Sequence, residues 1–469
     1  MKKKLNLLIT AAIMSVSISC SDNIDLLPSD TIPTETAIQN YEDFDRAVIG
    51  VYSNIGYNQT IYSNTLMADE SRWAIDNNVR NYGLPHKWAF DSSDGNVTAP
   101  WGNLYNVIDR INRALAVYDN LTTMGTQAQE LPRLRGELLA LRALCHFDLL
   151  RSFASGYEND AMGVPLMLES VVLGKPPRNT FGEVINQVKL DLAEADQLIP
   201  AGFGDLFRIT KPAVVALRAR VALYAKDWDE AITFSNQAIG FKGQLSSGDS
   251  YIDIWNDSNT SETFFQLRRN SNGGSIRTLW TDDNTDVFFS PSFKLIDSYD
   301  GDNDVRYNAF ILDDESVEET RENWKVNKYP GQNETNRFNN IKVIRVSEVY
   351  LILAEAYAEN NNLADATKAL NDLRSARIDN YSDETFANKQ DVIDAIYLER
   401  FKELAFEGHR FFDLKRRNLI VERDDRDLAF GAAIPKILMT TDRNYLLPIP
   451  SGEIYANENI IQNPGYVGQ

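Results

Sequence analysis

Apolar residues recur at helical spacing through much of the chain, and four stripes stand out. Trp101, Leu104, Tyr105, Ile108, Ile111 and Leu115 follow the i, i+3, i+4, i+7 rule that lays one helix face on a core. Leu134, Leu138, Leu141, Cys145 and Leu149 do the same in the next segment. Val343, Val346, Tyr350, Leu353 and Tyr357 mark a third stripe, and Ile393, Ile396, Arg400 and Leu404 a fourth. Two stretches read as copies of one helix-turn-helix unit. Ala219 precedes Ala231 by twelve residues with Asp227 and Trp228 at the turn; Ala354 precedes Ala366 by twelve with Asn361 and Asn362 at the turn. Small residues at such points let paired helices approach closely, the packing logic of tetratricopeptide repeats. The competing reading is chance alanines in two unrelated hairpins.

The pattern therefore predicts an all-α protein, a tetratricopeptide-like helical-hairpin scaffold over about residues 101–155, 181–240 and 341–418. Loop-rich insertions at 61–100, 241–340 and 419–469 interrupt it, with one short strand expected at Phe264 to Leu267. Long irregular segments on a rigid scaffold are where binding usually resides.

The first residues read as an address. Lys2, Lys3 and Lys4 precede an apolar run from Leu5 to Val16, too short to span a bilayer and the right length for a signal peptide. Ser19 then precedes Cys20, which resembles a bacterial lipoprotein signal over residues 1–19 with Cys20 as the acylated residue. An ordinary secretory signal ending near a cysteine is the alternative. Residues 20–40, with Pro28 and Pro33, read as a tether to a single folded body at 41–469. Once Cys20 is acylated Cys145 is the remaining thiol, so no intrachain disulfide forms; its apolar neighbours mark it as a buried small side chain.

Charge narrows the function. The 469 residues carry 67 acidic and 47 Lys or Arg side chains, a net charge of −20, which argues against a nucleic-acid binder. Three histidines and two cysteines leave too few ligands for a Cys/His zinc site, and no cofactor or metal is expected. Asp300, Asp302 and Asp304 offer carboxylates to a hard cation, but Gly301 and Asn303 already favour a turn without one. Glu403 and Glu407 invite an acid/base reading, as in glycoside hydrolysis. They are interleaved with Arg400 and Arg410, and Arg400–Glu403, Glu407–Arg410 and Arg410–Asp413 are all i, i+3. A local ion lattice joining two helices, with Gly408 stopping the first, is the better reading. No catalytic residue is assigned.

The aromatics suggest binding. Sugar rings present apolar C–H faces, so their sites pair aromatic platforms with planar amide and guanidinium donors. Trp73, Asn78, Arg80, Tyr82 and Trp88 combine both on one expected loop, and Trp280 and Trp324 are second-choice contributors from the later insertion. Packing beneath a loop is the alternative for each. Trp101 and Trp228 lie on helical stripes and are expected in the core.

Several segments together resemble the SusD/RagB family of surface nutrient-binding lipoproteins. They are Trp101 to Tyr105 leading to Asn112; Glu137 through Arg142 to Leu149; Gly163 to Leu166; Thr210 to Ala213; and Arg345 with Glu348 and Ala354 to Ala356. The most specific is Glu399, Arg400, Glu403, Glu407, Gly408, His409, Arg410, Asp413 and Arg416, and the chain closes with Leu447 to Pro450 and Gln462 to Tyr466. The resemblance implies a helical scaffold carrying loop-built sites and no catalysis. It implies oligosaccharide ligands, with peptides or glycopeptides as the alternative, and capture at the cell surface by a lipid-anchored outer-membrane protein. It also implies a partner, a TonB-dependent outer-membrane transporter. A purely structural tetratricopeptide scaffold would leave the aromatic loops idle; a secreted glycosidase would need an acid pair that does not stand out.

Overall fold

The computed structural model describes residues 37–77, 83–171, 173–270, 275–282, 286–333, 337–429 and 433–466. Residues 1–36, and with them the signal segment, Cys20 and most of the tether, lie outside the described residues.

Among the described residues twelve longer helices carry the fold. Helices α1 (Tyr41–Asn54) and α2 (Tyr57–Met67) pack on α3 (Gly95–Val117), which packs on α4 (Thr126–Phe153). Helices α5 (Phe181–Leu198), α6 (Lys211–Tyr224) and α7 (Trp228–Phe241) follow, then α8 (Gly248–Trp255) in the insertion. Helices α9 (Val346–Glu359), α10 (Leu363–Ser375), α11 (Lys389–Glu403) and α12 (Arg410–Arg416) complete the set. Polar residues fix the starts. The Asn40, Asp94, Thr210, Asp227, Asn362 and Asn388 side chains each accept a backbone N–H of the first turn, and Thr180 and Glu183 form a reciprocal capping box on α5.

The two repeat units are hairpins as the alanine spacing predicts: α6 with α7, and α9 with α10. Ala219, Ala231, Ala354 and Ala366 are fully buried, and α7 packs on α9, so the hairpins stack. Their turns match in detail. Lys226 (φ 56°) and Asn361 (φ 60°) are left-handed, each followed by the residue that caps the next helix. Helix α4 is the centre of the core: from Leu134 to Phe153 only Arg135 is not buried. Cys145 lies in this interior, and burial pushes its thiol far up.

Among the described residues four short antiparallel pairs run within and between the insertions, and one of them, β2 with β6, reaches the start of α9: β1 (Ser71–Trp73) with β3 (Phe289–Pro291), β2 (Thr263–Leu267) with β6 (Ile341–Arg345), β4 (Ile311–Asp313) with β5 (Trp324–Val326), and β7 (Val421–Glu422) with β8 (Ile437–Leu438). The strand expected at Phe264 to Leu267 is β2. Its partner β6 corrects the third helical stripe, because Val343 lies in a strand and α9 begins only at Val346.

Glu70, at the entry to β1, is wholly buried, and burial, with the neighbouring Asp69 charge adding, pushes its carboxyl up to about 8. The unfolded chain releases this proton near 4.5, so between about 4.5 and 8 the folded state holds a proton that the unfolded state does not. The site's contribution to stability is complete below that window and is lost as pH rises through it. Glu70→Gln removes the dependence. Melts should show the variant gaining on the parent by a few kcal/mol, roughly, between pH 5 and pH 8. A difference constant with pH would contradict this.

Candidate functional site

The densest charge cluster is sealed inside the protein. Glu403 accepts hydrogen bonds from Arg345 Nη1 at 2.9 Å, Arg377 Nε at 3.0 Å and Arg306 Nη1 at 3.3 Å. Glu407 accepts from Arg345 Nη2 at 2.6 Å and Lys328 Nζ at 2.7 Å, while Glu399 bridges Arg306 and Arg374. Burial alone would raise the Glu403 carboxyl; Arg377, Arg345 and Arg306 outweigh it and hold it well below the usual carboxylate range. Glu407 is lowered too, against its own burial, by Arg345 and Lys328. A general acid needs a raised pKa and access to substrate, and this pair has neither.

The lattice reading holds, but its expected pairs do not. Arg400 bonds Asp413 at 2.8 Å, Arg410 bonds Asp69 at 2.7 Å, and Arg416 bonds Glu355 at 2.5 Å. The partners come from β6, from α9, from the turn after α10, from the insertion and from the segment after α2, so the lattice is tertiary rather than local. Helix α11 also ends at Glu403, ahead of Gly408. Gly408 (φ 77°) instead serves a close approach, since a Cβ there would stand 2.8 Å from Ile61 Cα.

Of the three carboxylates at the 300–304 turn, Asp304 joins the lattice while Asp300 and Asp302 stay exposed. Asp304 is buried against Arg306 (2.8 Å) and Lys402 (3.0 Å). Among the described residues no group of three or more His, Cys, Asp or Glu side chains could hold a metal ion.

The insertions converge on one rim. Strand β1 pairs with β3 so that Trp73 faces Phe289, and β5 lies against β3. Arg72 and Glu322, both buried, form a bidentate pair at 2.8 and 2.6 Å, and the second Glu322 oxygen of that pair also accepts the Trp324 N–H at 3.1 Å. Outside this rivet Arg321 donates to Asp76 (2.9 Å) and to Asp286 (2.7 Å), and the Asn77 amide donates to the Phe288 carbonyl (2.9 Å). Loops 74–77, 286–288 and 321–324 are thus held together. Ile75, Asp286, Phe288, Arg321 and Trp324 are exposed or half-buried along their edge.

Within this frame the candidate residues separate. Asn78, Arg80 and Tyr82 lie outside the described residues. Trp73 and Trp88 do not stand out on a loop: they are 6% and 7% exposed. The Trp73 ring packs on His86 and Phe289. Trp88 donates its indole N–H to the Met67 carbonyl at 2.9 Å and lies under the Arg423 guanidinium at 4.0 Å. Trp280 is fully buried against Phe406. The reason is area: an indole is the largest apolar surface a loop can offer the core, and burying it anchors the loop. Trp324 alone of the four described candidates stays half-buried, at the rim. Trp101 is in the core as expected, and Trp228 is half-buried against it. No described helix is long and apolar enough to cross a membrane.

Two family models match the chain, one described as the SusD family over residues 320–466 and one as starch-binding, associating with the outer membrane, over residues 21–223. SusD-like protein P25 of Formosa agariphila is 24% identical over 536 residues, covering 98% of this chain and 99% of that protein. A putative sugar-binding protein from Bacteroides vulgatus has the same fold, with a TM-score of 0.80, 26% identity, and coverage of 92% of this chain and 100% of its own. A SusD superfamily protein from Bacteroides thetaiotaomicron follows at 0.79 and 27%, covering 91% and 100%.

Proposed function

The chain belongs to the SusD/RagB family, and from that premise we propose that it captures oligosaccharides at the outer-membrane surface and delivers them to a TonB-dependent transporter. The observation that carries this reading is the rim. Half-buried Trp324 and an Arg321 fixed by two carboxylates stand three residues apart on the segment that forms this edge, and together offer a flat apolar face and a planar donor, the pairing a sugar ring requires. Arg321 is held at Nε by Asp76 and at Nη2 by Asp286, so it needs little ordering when a ligand arrives. The starch-binding description of one matching family and the sugar-binding description of the B. vulgatus protein support the same ligand class.

A glycan and peptide array probed with the mature protein tests the ligand class. Retention of oligosaccharides supports the reading, and retention of peptides alone overturns it. Delivery is tested by purification from native membranes in mild detergent, where a large β-barrel protein should accompany this chain. Anchoring is tested at Cys20. A Cys20→Ala variant should remain unprocessed or leave the membrane fraction, and a variant that is cleaved and fractionates as before would contradict the anchor.

A further inference from the structure

Away from the rim, a groove of about 570 Å³ lies at the end of α1 and the exit of β2. Its walls carry Tyr52, Phe207, Arg208, Arg268 and Arg269, with Asp205 at its edge. Its charge is unusual for so acidic a chain. Most arginines described above face a carboxylate, but among the described residues neither the exposed Arg268 nor the buried Arg269 pairs with one.

Arg269 is only 7% exposed, yet its guanidinium meets neutral acceptors alone: Asn58 Oδ1 at 3.1 Å, the Ile55 carbonyl at 3.0 Å and the Arg268 carbonyl at 3.1 Å. A desolvated cation without an anion is costly, and burial lowers its pKa to about 10. Arg268 is exposed, and its guanidinium carbon stands 4.1 Å from the centre of the Phe207 ring, which places a side chain that would otherwise be free. Arg208, on the third wall, is neutralised by Glu137 (2.7 Å) and Asp45 (3.2 Å), but its Nη2 is buried without a partner. The Asp205 carboxylate opposes the cluster, with one oxygen engaged by the Phe207 N–H at 2.9 Å.

We propose that this groove is a subsite for the anionic group, carboxylate or sulfate, of an acidic oligosaccharide. Arg268 and Arg269 supply the fixed donors that such a group accepts, and Phe207 and Tyr52 supply apolar surface for the ring that bears it. The inference rests on the oligosaccharide reading above and adds the charge of the ligand.

Calorimetry of the mature full-length protein with three tetrasaccharides tests it: neutral maltotetraose, an oligogalacturonate and a sulfated chondroitin fragment. At least one acidic tetrasaccharide should bind, and which one separates carboxylate from sulfate. Arg268→Ala should weaken that binding about tenfold, raising NaCl from about 50 to about 300 mM should weaken it further, and neither should affect maltotetraose. Asp205→Asn keeps the oxygen that caps Phe207 and should tighten acidic binding roughly two- to fivefold. Acidic binding untouched by Arg268→Ala overturns the inference. Binding of maltotetraose alone overturns it while leaving the wider reading in place, and no binding of any tetrasaccharide overturns it too.

Discussion

Replacing Glu403 with glutamine should destabilise the protein by about 3–5 kcal/mol, the range for removing one partner from a buried ion cluster. Three guanidiniums converge on this carboxylate, from Arg306, Arg345 and Arg377, all buried. An amide of the same shape keeps part of the hydrogen bonding and removes the charge. Arg306 retains Glu399 and Asp304, and Arg345 retains Glu407, but Arg377 is left with Glu262 as its one carboxylate. Glu262 serves poorly, since burial raises its carboxyl against the pull of Arg377. The loss should spread, because Arg345 starts the α9 hairpin, Arg306 belongs to the insertion and Glu403 ends α11. Denaturant titration should show a lower midpoint for Glu403→Gln. Lys368→Ala, which breaks the exposed Lys368–Asp372 pair, should stay within about 0.5 kcal/mol of the parent. A Glu403→Gln midpoint indistinguishable from the parent would contradict the lattice account.

Trp73→Ala and Trp88→Ala should each cost about 3–5 kcal/mol, the range for emptying a buried aromatic site. Trp73 leaves a void among His86, Phe289 and Gly83, whose Cβ position is already 3.0 Å from the ring. Trp88 takes more than area with it. Its loss leaves the Met67 carbonyl short of a donor and uncovers the Arg423 guanidinium, which otherwise meets backbone carbonyls only. Both variants should melt early. Unchanged melting with lost glycan affinity would show instead that these rings serve as platforms.

Reading the chain by periodicity found the hairpins because their buried faces are one-sided: α9 and α10 show their alanines and leucines at fixed intervals. The same method missed α2. Nine of its eleven residues are buried, polar Thr60, Ser63, Asn64 and Thr65 among them, so no amphipathic stripe marks it and its second half fell inside the expected loop at 61–100. Charge spacing identified the lattice but mispaired it, because i, i+3 proximity says nothing of the arginines that reach Glu403 from 26, 58 and 97 residues away in sequence. The tryptophans show the limit most plainly. Trp73 and Trp324 have similar polar surroundings in sequence, and only the pairing of β1 with β3 covers the first ring while the second remains at the edge. The rim itself had no local signal, since Arg72–Glu322 and Asp76–Arg321 join residues some 250 positions apart.

The proposed function places the sugar at the loop rim, on Trp324. Calorimetry with an oligosaccharide retained on the array, run on the parent and on Trp324→Ala beside thermal melts, tests it most directly. The account predicts that Trp324→Ala loses about 1–3 kcal/mol of binding while its melting temperature stays close to the parent's. Equal affinity in the two proteins would contradict it.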